Sequence, residues 1–312
     1  MSTGGKPRSQ THQGTFEGLP PSKPRLKWLN ELEPNPDATE LIRLVVDDDR
    51  WDLNQANASY QRYALDEVSA FVKKLFGRRR PVIVSPAGFI TASLQRAPDA
   101  TESEIDRSSE DLEIILKTQY RLSHAKQHDW LVGLDGCLPG LCTPIQTVFR
   151  LAPSAHMQPQ QVAIKLYPES GEMKHLVCWH LILAQGSIPA ALSRKRWSND
   201  TGRSFLSLVC HEAVAFSSRS LSTSKHPSRD HFRKHIKSQG KNKLDYITVS
   251  AHWLSPASSS AFKDGLSNLA TALGATVVVS MFSEGNMLTE AAREFAPVGG
   301  VCAEKIATLL VH

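Results

Sequence analysis

The sequence is poor in cysteine and lacks the long apolar runs of membrane proteins. Five cysteines in 312 residues are an odd and sparse set, which argues against a disulfide framework and favours a reduced compartment. No apolar run approaches the roughly 18 residues of a transmembrane helix. The first ten residues also lack the apolar core of a secretory signal. We therefore expect a cytoplasmic protein that makes no membrane contact.

The motifs that hold common cofactors are also missing. The chain has neither a phosphate-binding loop nor a glycine-rich dinucleotide fingerprint. His175, Cys178 and His180 fit no standard zinc spacing, and on a strand they would alternate between faces. The sequence therefore shows none of these nucleotide-binding or zinc-binding patterns, and core packing is the favoured interpretation of the two histidines and the cysteine.

The positive charge is confined to two segments. The whole chain carries 36 Lys and Arg against 31 Asp and Glu, a net charge of +5. Residues 1–28 contribute five basic side chains against one acid, and residues 225–243 contribute seven against one. The remaining chain is therefore mildly acidic, at −5. A uniformly basic nucleic-acid-binding domain would not divide its charge in this way.

The composition predicts one folded domain behind a flexible start. The first residues are rich in Pro, Gly, Ser, Thr and Gln, so we expect a flexible basic leader over residues 1–38. One domain is expected over residues 39–312, with ordered structure beginning at Leu41.

Strand and helix patterns alternate along this domain, which predicts an α/β architecture. We expect helices over residues 60–76, within 98–128 and over 259–273. Apolar runs predict strands at 41–46, 81–84, 130–134, 145–151, 161–167, 176–183, 205–210, 245–250, 276–281 and 306–311.

The segment FLSLVCHEAVAF, residues 205–216, is the strongest candidate for chemistry. An apolar strand leads directly into Cys210, and polar residues follow at once. Backbone N–H groups beyond a strand end can favour a thiolate nucleophile and later hold an oxyanion. The alternative is a small buried side chain at the end of a core strand. A dyad with the adjacent His211 is disfavoured, because neighbouring strand residues point to opposite faces.

Several further segments, taken in order, resemble the nitrilase or carbon–nitrogen hydrolase superfamily. The turn Ser85-Pro-Ala-Gly-Phe89 follows a strand, and Ile164-Lys165-Leu166 lies on a later one. Val209-Cys210-His211-Glu212 then ends a third strand, and two further strand segments begin at Leu244 and Ala272. The resemblance spans roughly residues 40–312.

The resemblance implies a four-layer αββα sandwich that hydrolyses an amide, nitrile or carbamoyl C–N bond. It implies Cys210 as nucleophile, Lys165 as oxyanion partner with the backbone N–H of His211, and Glu172 as a carboxylate near the lysine. It also implies a homo-oligomer without a cofactor, acting on a small amide or nitrile. The residues expected to line the site are His211, Glu212, Ala87, Phe89, His252 and Trp253.

One position departs from the family pattern. The first catalytic glutamate of the family falls on Ala87, which cannot accept a proton. Loss of general-base assistance typically costs on the order of 10²–10⁴ in rate. Glu172 is one candidate to replace it. An engineered or naturally inactive protein, or a displaced alignment, are the alternatives.

A second hypothesis is an inactive nitrilase-like binding or regulatory module. The basic insert over residues 225–243 would then contact an acidic partner or nucleic acid, with Phe232 available for base stacking. Attraction of an anionic substrate and a simple solvated loop are the other interpretations of this insert.

Overall fold

The computed structural model describes most of the predicted domain, in segments. These are residues 23–47, 58–93, 128–138, 141–153, 159–166, 195–219, 227–240, 243–252, 256–283, 287–300 and 303–312.

The described residues form strands, four α-helices and short 3-10 turns. The strands are β1 Leu26–Trp28, β2 Leu41–Val46, β3 Val82–Val84, β4 Ile90–Ser93, β5 Asp129–Leu138, β6 Leu141–Leu151, β7 Gln160–Leu166, β8 Arg196–Ser198, β9 Ser204–Val209, β10 Tyr246–Ser250, β11 Thr276–Phe282 and β12 Ile306–Val311. The helices are α1 Ala58–Phe76, α2 Pro227–Gln239, α3 Pro256–Leu273 and α4 Leu288–Glu294.

Local sequence explains the main elements. The strands β2, β9, β10 and β11 are buried at every residue, as expected of central parallel strands covered on both faces. Helix α1 buries Ala64, Val68 and Val72 at helical spacing. It ends at Gly77, whose positive φ of 59° lets its N–H bond the Lys73 carbonyl.

Two sheets make up the centre of the molecule. One runs in the order β7-β6-β5-β3-β2, with β12 and β1 continuing beyond β2, and the other runs β11-β10-β9-β8. Strands β2, β3 and β5 are parallel, whereas β5, β6 and β7 are antiparallel. The sheets join where Met281 and Phe282 of β11 pair with the end of β2.

Three layers of buried side chains show that the architecture is the predicted αββα sandwich. The first core lies between α1 and the outer face of the first sheet. The second packs α2, α3 and α4 against the outer face of the other sheet. The third takes residues from both sheets, including Val84 and Leu131 on one side and Phe205, Val209 and Tyr246 on the other. Within this part of the chain, no helix is long and apolar enough to cross a membrane.

The start of the ordered chain was placed too late. Leu26–Trp28 form β1 and pair antiparallel with Val311–Leu309 of the last strand. The Trp28 side chain is buried and packs against Phe71 and Phe76. The leader predicted over residues 1–38 therefore includes an ordered strand. Trp28 anchors this segment to the core, although the segment as a whole has few apolar residues.

The basic insert is also more ordered than predicted. Helix α2 buries Phe232 and Ile236, four residues apart, in the second core. The Phe232 side chain is buried and its ring meets Phe216 edge-on, so it is not available for base stacking, as the nucleic-acid interpretation of the insert required. Lys234 and Lys237 lie on the exposed face. The high charge of this helix conceals an ordinary apolar stripe.

Most of the remaining predicted elements are confirmed within one to three residues at each end. The exceptions at residues 98–128 and 176–183 lie almost wholly outside the described residues. The sequence did not predict β1, β4, β8, α2 or α4.

Candidate active site

Cys210 lies where the apolar strand β9 ends and the chain turns sharply. Its backbone has a φ of 45°, in the left-handed region that residues other than glycine seldom adopt. A 3-10 turn, Cys210–Phe216, begins at the same residue. The side chain is 2% exposed and belongs to the core between the two sheets. This backbone conformation is the kind of local strain that persists where the surrounding structure fixes it.

A buried ion pair holds the turn that follows Cys210. The Lys195 ammonium lies 3.1 Å and 2.9 Å from the two carboxylate oxygens of Glu212. Oε2 of Glu212 also accepts a hydrogen bond from the Val209 N–H at 2.9 Å. Both side chains are at most 1% exposed. The predicted site residue Glu212 therefore pins the backbone on each side of Cys210.

The thiol of Cys210 contacts the imidazole of His252, which follows β10. The two side chains are hydrogen-bonded, and His252 is 17% exposed. Strands β9 and β10 are parallel neighbours, so their carboxyl ends bring these two residues together. His252 is one of the residues expected from the sequence to line the site, and that role stays a prediction. A partner of the cysteine is thus His252, which lies far along the chain.

Asp135 of β5 completes the group from the other sheet. Its Oδ2 lies 2.6 Å from His252 Nε2, and its side chain is fully buried. The Gln146 amide nitrogen lies 2.6 Å from the other ring nitrogen, Nδ1. The imidazole is therefore held at both nitrogens between the two sheets.

The electrostatic environment of His252 favours its protonated form. Burial, the largest influence on His252, lowers its pKa, but the charge and hydrogen bond of Asp135 and the contact with Cys210 together raise it to about 10. Burial is also the largest influence on Asp135 and raises the pKa of its carboxyl, against the attraction of His252. At neutral pH these shifts favour the imidazolium form of His252.

The turn that carries Ala87 packs directly on β5. A Cβ at Gly133 would lie 1.9 Å from the Pro86 carbonyl oxygen, so only glycine permits this approach. The Ala87 N–H bonds the Ala251 carbonyl at 3.3 Å, next to His252. The Gly88 N–H bonds the Asp135 carboxyl. Ala87 itself is fully buried, and its methyl group offers no proton acceptor.

Lys165 occupies the same cross-strand row as two of these residues. Asp135 lies opposite Gln146 in the β5–β6 pairing, and Gln146 lies opposite Lys165 in the β6–β7 pairing. The row thus crosses three adjacent strands at the level of His252. The backbone position of Lys165 is compatible with its predicted role, which stays a prediction.

The remaining predicted site residues fall into two groups. Phe89 is fully buried and packs near Trp130, in the core beneath α1, so the prediction that it lines the site with Cys210 is wrong. Residues Glu172 and Trp253 lie outside the described residues, as does the side chain of His211. Their predicted roles stay predictions.

Sequence reasoning missed Asp135, Gln146 and Lys195. Asp135 stands inside the apolar run WLVGLDGC, where a lone acid at a buried strand position is a usable signal of a charged partner. Gln146 and Lys195 carry no comparable pattern. In the part of the chain that the structure describes, no group of three or more His, Cys, Asp or Glu side chains could hold a metal ion.

Comparison with known proteins finds similarity only among solved structures. No family model and no curated protein matches this sequence. An amidase of the nitrilase superfamily from Nesterenkonia AN1, in a cysteine-to-alanine mutant, is 10% identical, with a TM-score of 0.41 over 80% of this chain and 79% of that one. A mutant of the same amidase, with the acetamide moiety of fluoroacetamide added covalently at its active-site cysteine, is 14% identical, with a TM-score of 0.38 over 88% and 90%.

A further structure of that amidase, in complex with acrylamide, is 12% identical, with a TM-score of 0.39 over 78% of this chain and 77% of that one. The fold of the present chain is established by its own strand order and three cores.

Proposed function

We propose that the protein is a thiol-dependent hydrolase of a non-peptide C–N bond, of the amide, nitrile or carbamoyl class, with Cys210 as the nucleophile. The observation that carries the proposal is the contact between the buried Cys210 thiol and the imidazole of His252. A thiol paired with a positive imidazole at a strand end is the arrangement that activates cysteine as a nucleophile. The sequence motifs around Cys210, which resemble those of carbon–nitrogen hydrolases, give the substrate class.

The reaction on an amide has two stages. The Cys210 sulfur attacks the carbonyl carbon, a C–S bond forms, and the C–N bond breaks as the nitrogen gains a proton and leaves as an amine. Water then attacks the thioester carbon, the C–S bond breaks, and a carboxylic acid leaves. Lys165 and the backbone N–H of His211 are the proposed partners of the oxyanion, with Glu172 as a further carboxylate.

A matched pair of cysteine variants tests this assignment. Wild type should be alkylated by chloroacetamide at Cys210, as mapped by peptide mass spectrometry, and should release ammonia from one of a panel of small aliphatic amides. Cys210→Ala should lose both properties, because it lacks the nucleophilic sulfur. Cys302→Ala, which removes another cysteine of the chain, should keep both. Labelling that persists in Cys210→Ala at an equal rate contradicts the proposal.

The second candidate is a binding or regulatory module with this fold and no turnover. The observation that favours it is the buried methyl group of Ala87, where the family pattern has a carboxylate. Lys234 and Lys237, on the exposed face of α2, would then contact an acidic partner or nucleic acid. Alkylation of Cys210 without ammonia release from any amide, together with salt-dependent nucleic-acid binding lost in Lys234→Ala/Lys237→Ala, supports this candidate. Cytoplasmic location and homo-oligomerisation stay predictions.

A further inference from the structure

We propose that His252, oriented by Asp135, is the proton-transfer residue of the Cys210 site. This inference rests on the proposed hydrolase function and gives a chemical role to His252, which the sequence motifs implied only as a site-lining residue. It gives the site a group that exchanges protons, although position 87 carries alanine.

The contacts connect three ionisable side chains from one sheet to the other. Asp135 comes from β5 of the first sheet, whereas Cys210 and His252 come from the ends of β9 and β10 in the other. Carboxylate, imidazole and thiol are linked in sequence by the 2.6 Å contact of Asp135 with His252 and by the hydrogen bond of His252 with Cys210. A base within hydrogen-bond reach of its nucleophile and oriented by a third group has the geometry of a general acid and base.

Of these three side chains, the imidazole of His252 is the one that solvent can reach. Asp135 is fully buried and Cys210 is 2% exposed, while His252 is 17% exposed. A proton-transfer residue must exchange its proton with substrate or water, so partial exposure is required of it. Asp135 meets no such condition, and we assign it as a positioning residue that holds Nε2.

The hydrogen bonds at Nδ1 allow both protonation states of the ring. With neutral His252 the Gln146 amide nitrogen donates to Nδ1, as its 2.6 Å distance permits. The buried Gln146 Oε1 has no hydrogen-bond partner among the residues that the structure describes. A half-turn of the amide brings Oε1 against Nδ1–H of the protonated ring, so the same side chain serves both states.

The proton follows the two stages of hydrolysis. In the first stage the Nδ1–H of the His252 imidazolium leaves the Gln146 amide and is given to the departing nitrogen as the C–N bond breaks. In the second stage the neutral ring takes a proton from the attacking water as the C–S bond breaks. The ring is then an imidazolium again beside the Cys210 thiolate, so no proton is gained or lost over the cycle.

The test measures how fast chloroacetamide alkylates Cys210 as a function of pH. Among the described side chains, the charged or titratable groups that face the ring are Asp135 from β5 and Cys210 from the turn after β9, with the neutral Gln146 from β6. In wild type the imidazolium keeps Cys210 as a thiolate, so alkylation should stay fast below pH 7. In His252→Gln the alkylation rate should instead rise with pH as an ordinary thiol ionises, with a midpoint at about pH 8.5.

Two further variants distinguish proton transfer by His252 from a purely structural role. His252→Ala should lose on the order of 10²–10⁴ in amide turnover, and added imidazole should restore part of it if the variant folds. Asp135→Asn should shift the alkylation profile toward that of His252→Gln, because the ring loses the negative charge at Nε2 that stabilises the imidazolium. A shifted profile in Asp135→Asn is an effect that a merely structural role would not produce.

The outcomes distinguish the two proposals. Equal pH profiles in wild type and His252→Gln, with Cys210 still labelled in both, overturn the role of His252 and leave Cys210 as nucleophile. Absence of Cys210 labelling in wild type overturns the proposed function itself. Imidazole rescue of His252→Ala together with a changed profile in His252→Gln supports both.

Discussion

Two buried ion pairs flank Cys210, and they differ in how completely they are closed. Lys195 and Glu212 are at most 1% exposed, and both carboxylate oxygens of Glu212 contact the ammonium. Asp135 and His252 meet through a single 2.6 Å contact, and the imidazole is 17% exposed. The first pair fixes a backbone turn, whereas the second holds a ring that also touches the thiol.

This difference separates a structural pair from a reactive one. A pair that is closed to solvent can only be lost at a cost, since removal of one partner strands the other charge in the core. A pair with an accessible member can exchange a proton with its surroundings. We therefore expect changes in the first pair to act on stability, and changes in the second to act mainly on the reactivity of Cys210.

The largest expected effect comes from breaking the closed pair. Glu212→Gln should lower the free energy of unfolding by about 3–5 kcal/mol, because it leaves the Lys195 ammonium buried without a carboxylate. Urea denaturation of the whole chain measures the change. Adding Lys195→Met to Glu212→Gln should recover part of the loss, because the stranded charge is then removed.

An exposed pair supplies the control for that loss. Asp37 and Arg79 form an ion pair in which both side chains are more than half exposed. Asp37→Ala should change the free energy of unfolding by at most about 1 kcal/mol. A loss in Glu212→Gln no larger than that in Asp37→Ala would show that the Lys195–Glu212 pair does not fix the fold around Cys210.

A smaller effect is expected from a substitution on the Asp135 side. Gly133→Ala should cost about 1–3 kcal/mol, because its Cβ would overlap the Pro86 carbonyl and displace the turn that contacts Asp135. Gly300→Ala, where nothing lies within 4 Å of the added Cβ, is the matched control. Gly133→Ala should also slow alkylation of Cys210. If the two alanine variants have the same stability and the same alkylation rate, β5 does not support the site in the way described.

Much of the fold was predictable because its signals are local. The fully buried strands β2, β9 and β11 stand out as apolar runs, and their order indicates the sandwich. Helix α2 was missed because seven basic side chains in its neighbourhood outweigh the spacing of Phe232 and Ile236. Strand β1 was missed because three residues carry too little pattern without their partner β12.

The site was predictable only in part because its contacts are tertiary. Cys210 was found from a strand that ends in a thiol, and His252 from a strand that ends in a polar turn. Their contact depends on β9 and β10 being parallel neighbours, and the approach of Asp135 depends on how the two sheets pack. Neither the pairing of β9 with β10 nor the packing of the two sheets can be predicted from the spacing of residues along the sequence. Phe89 follows the turn at Ala87 but faces the opposite core, a direction that the motif alone does not specify.

The ultraviolet absorbance of the Cys210 thiolate tests the central claim most directly. The difference between wild type and Cys210→Ser, recorded as pH is lowered from 9, isolates this one thiol among the five cysteines. If His252 and Cys210 form the proposed ion pair, the thiolate signal should be fully present at pH 7 and persist well below it. A thiolate signal that is lost as the pH falls through about 8.5, the pKa of an unperturbed cysteine thiol, would contradict the proposed ion pair.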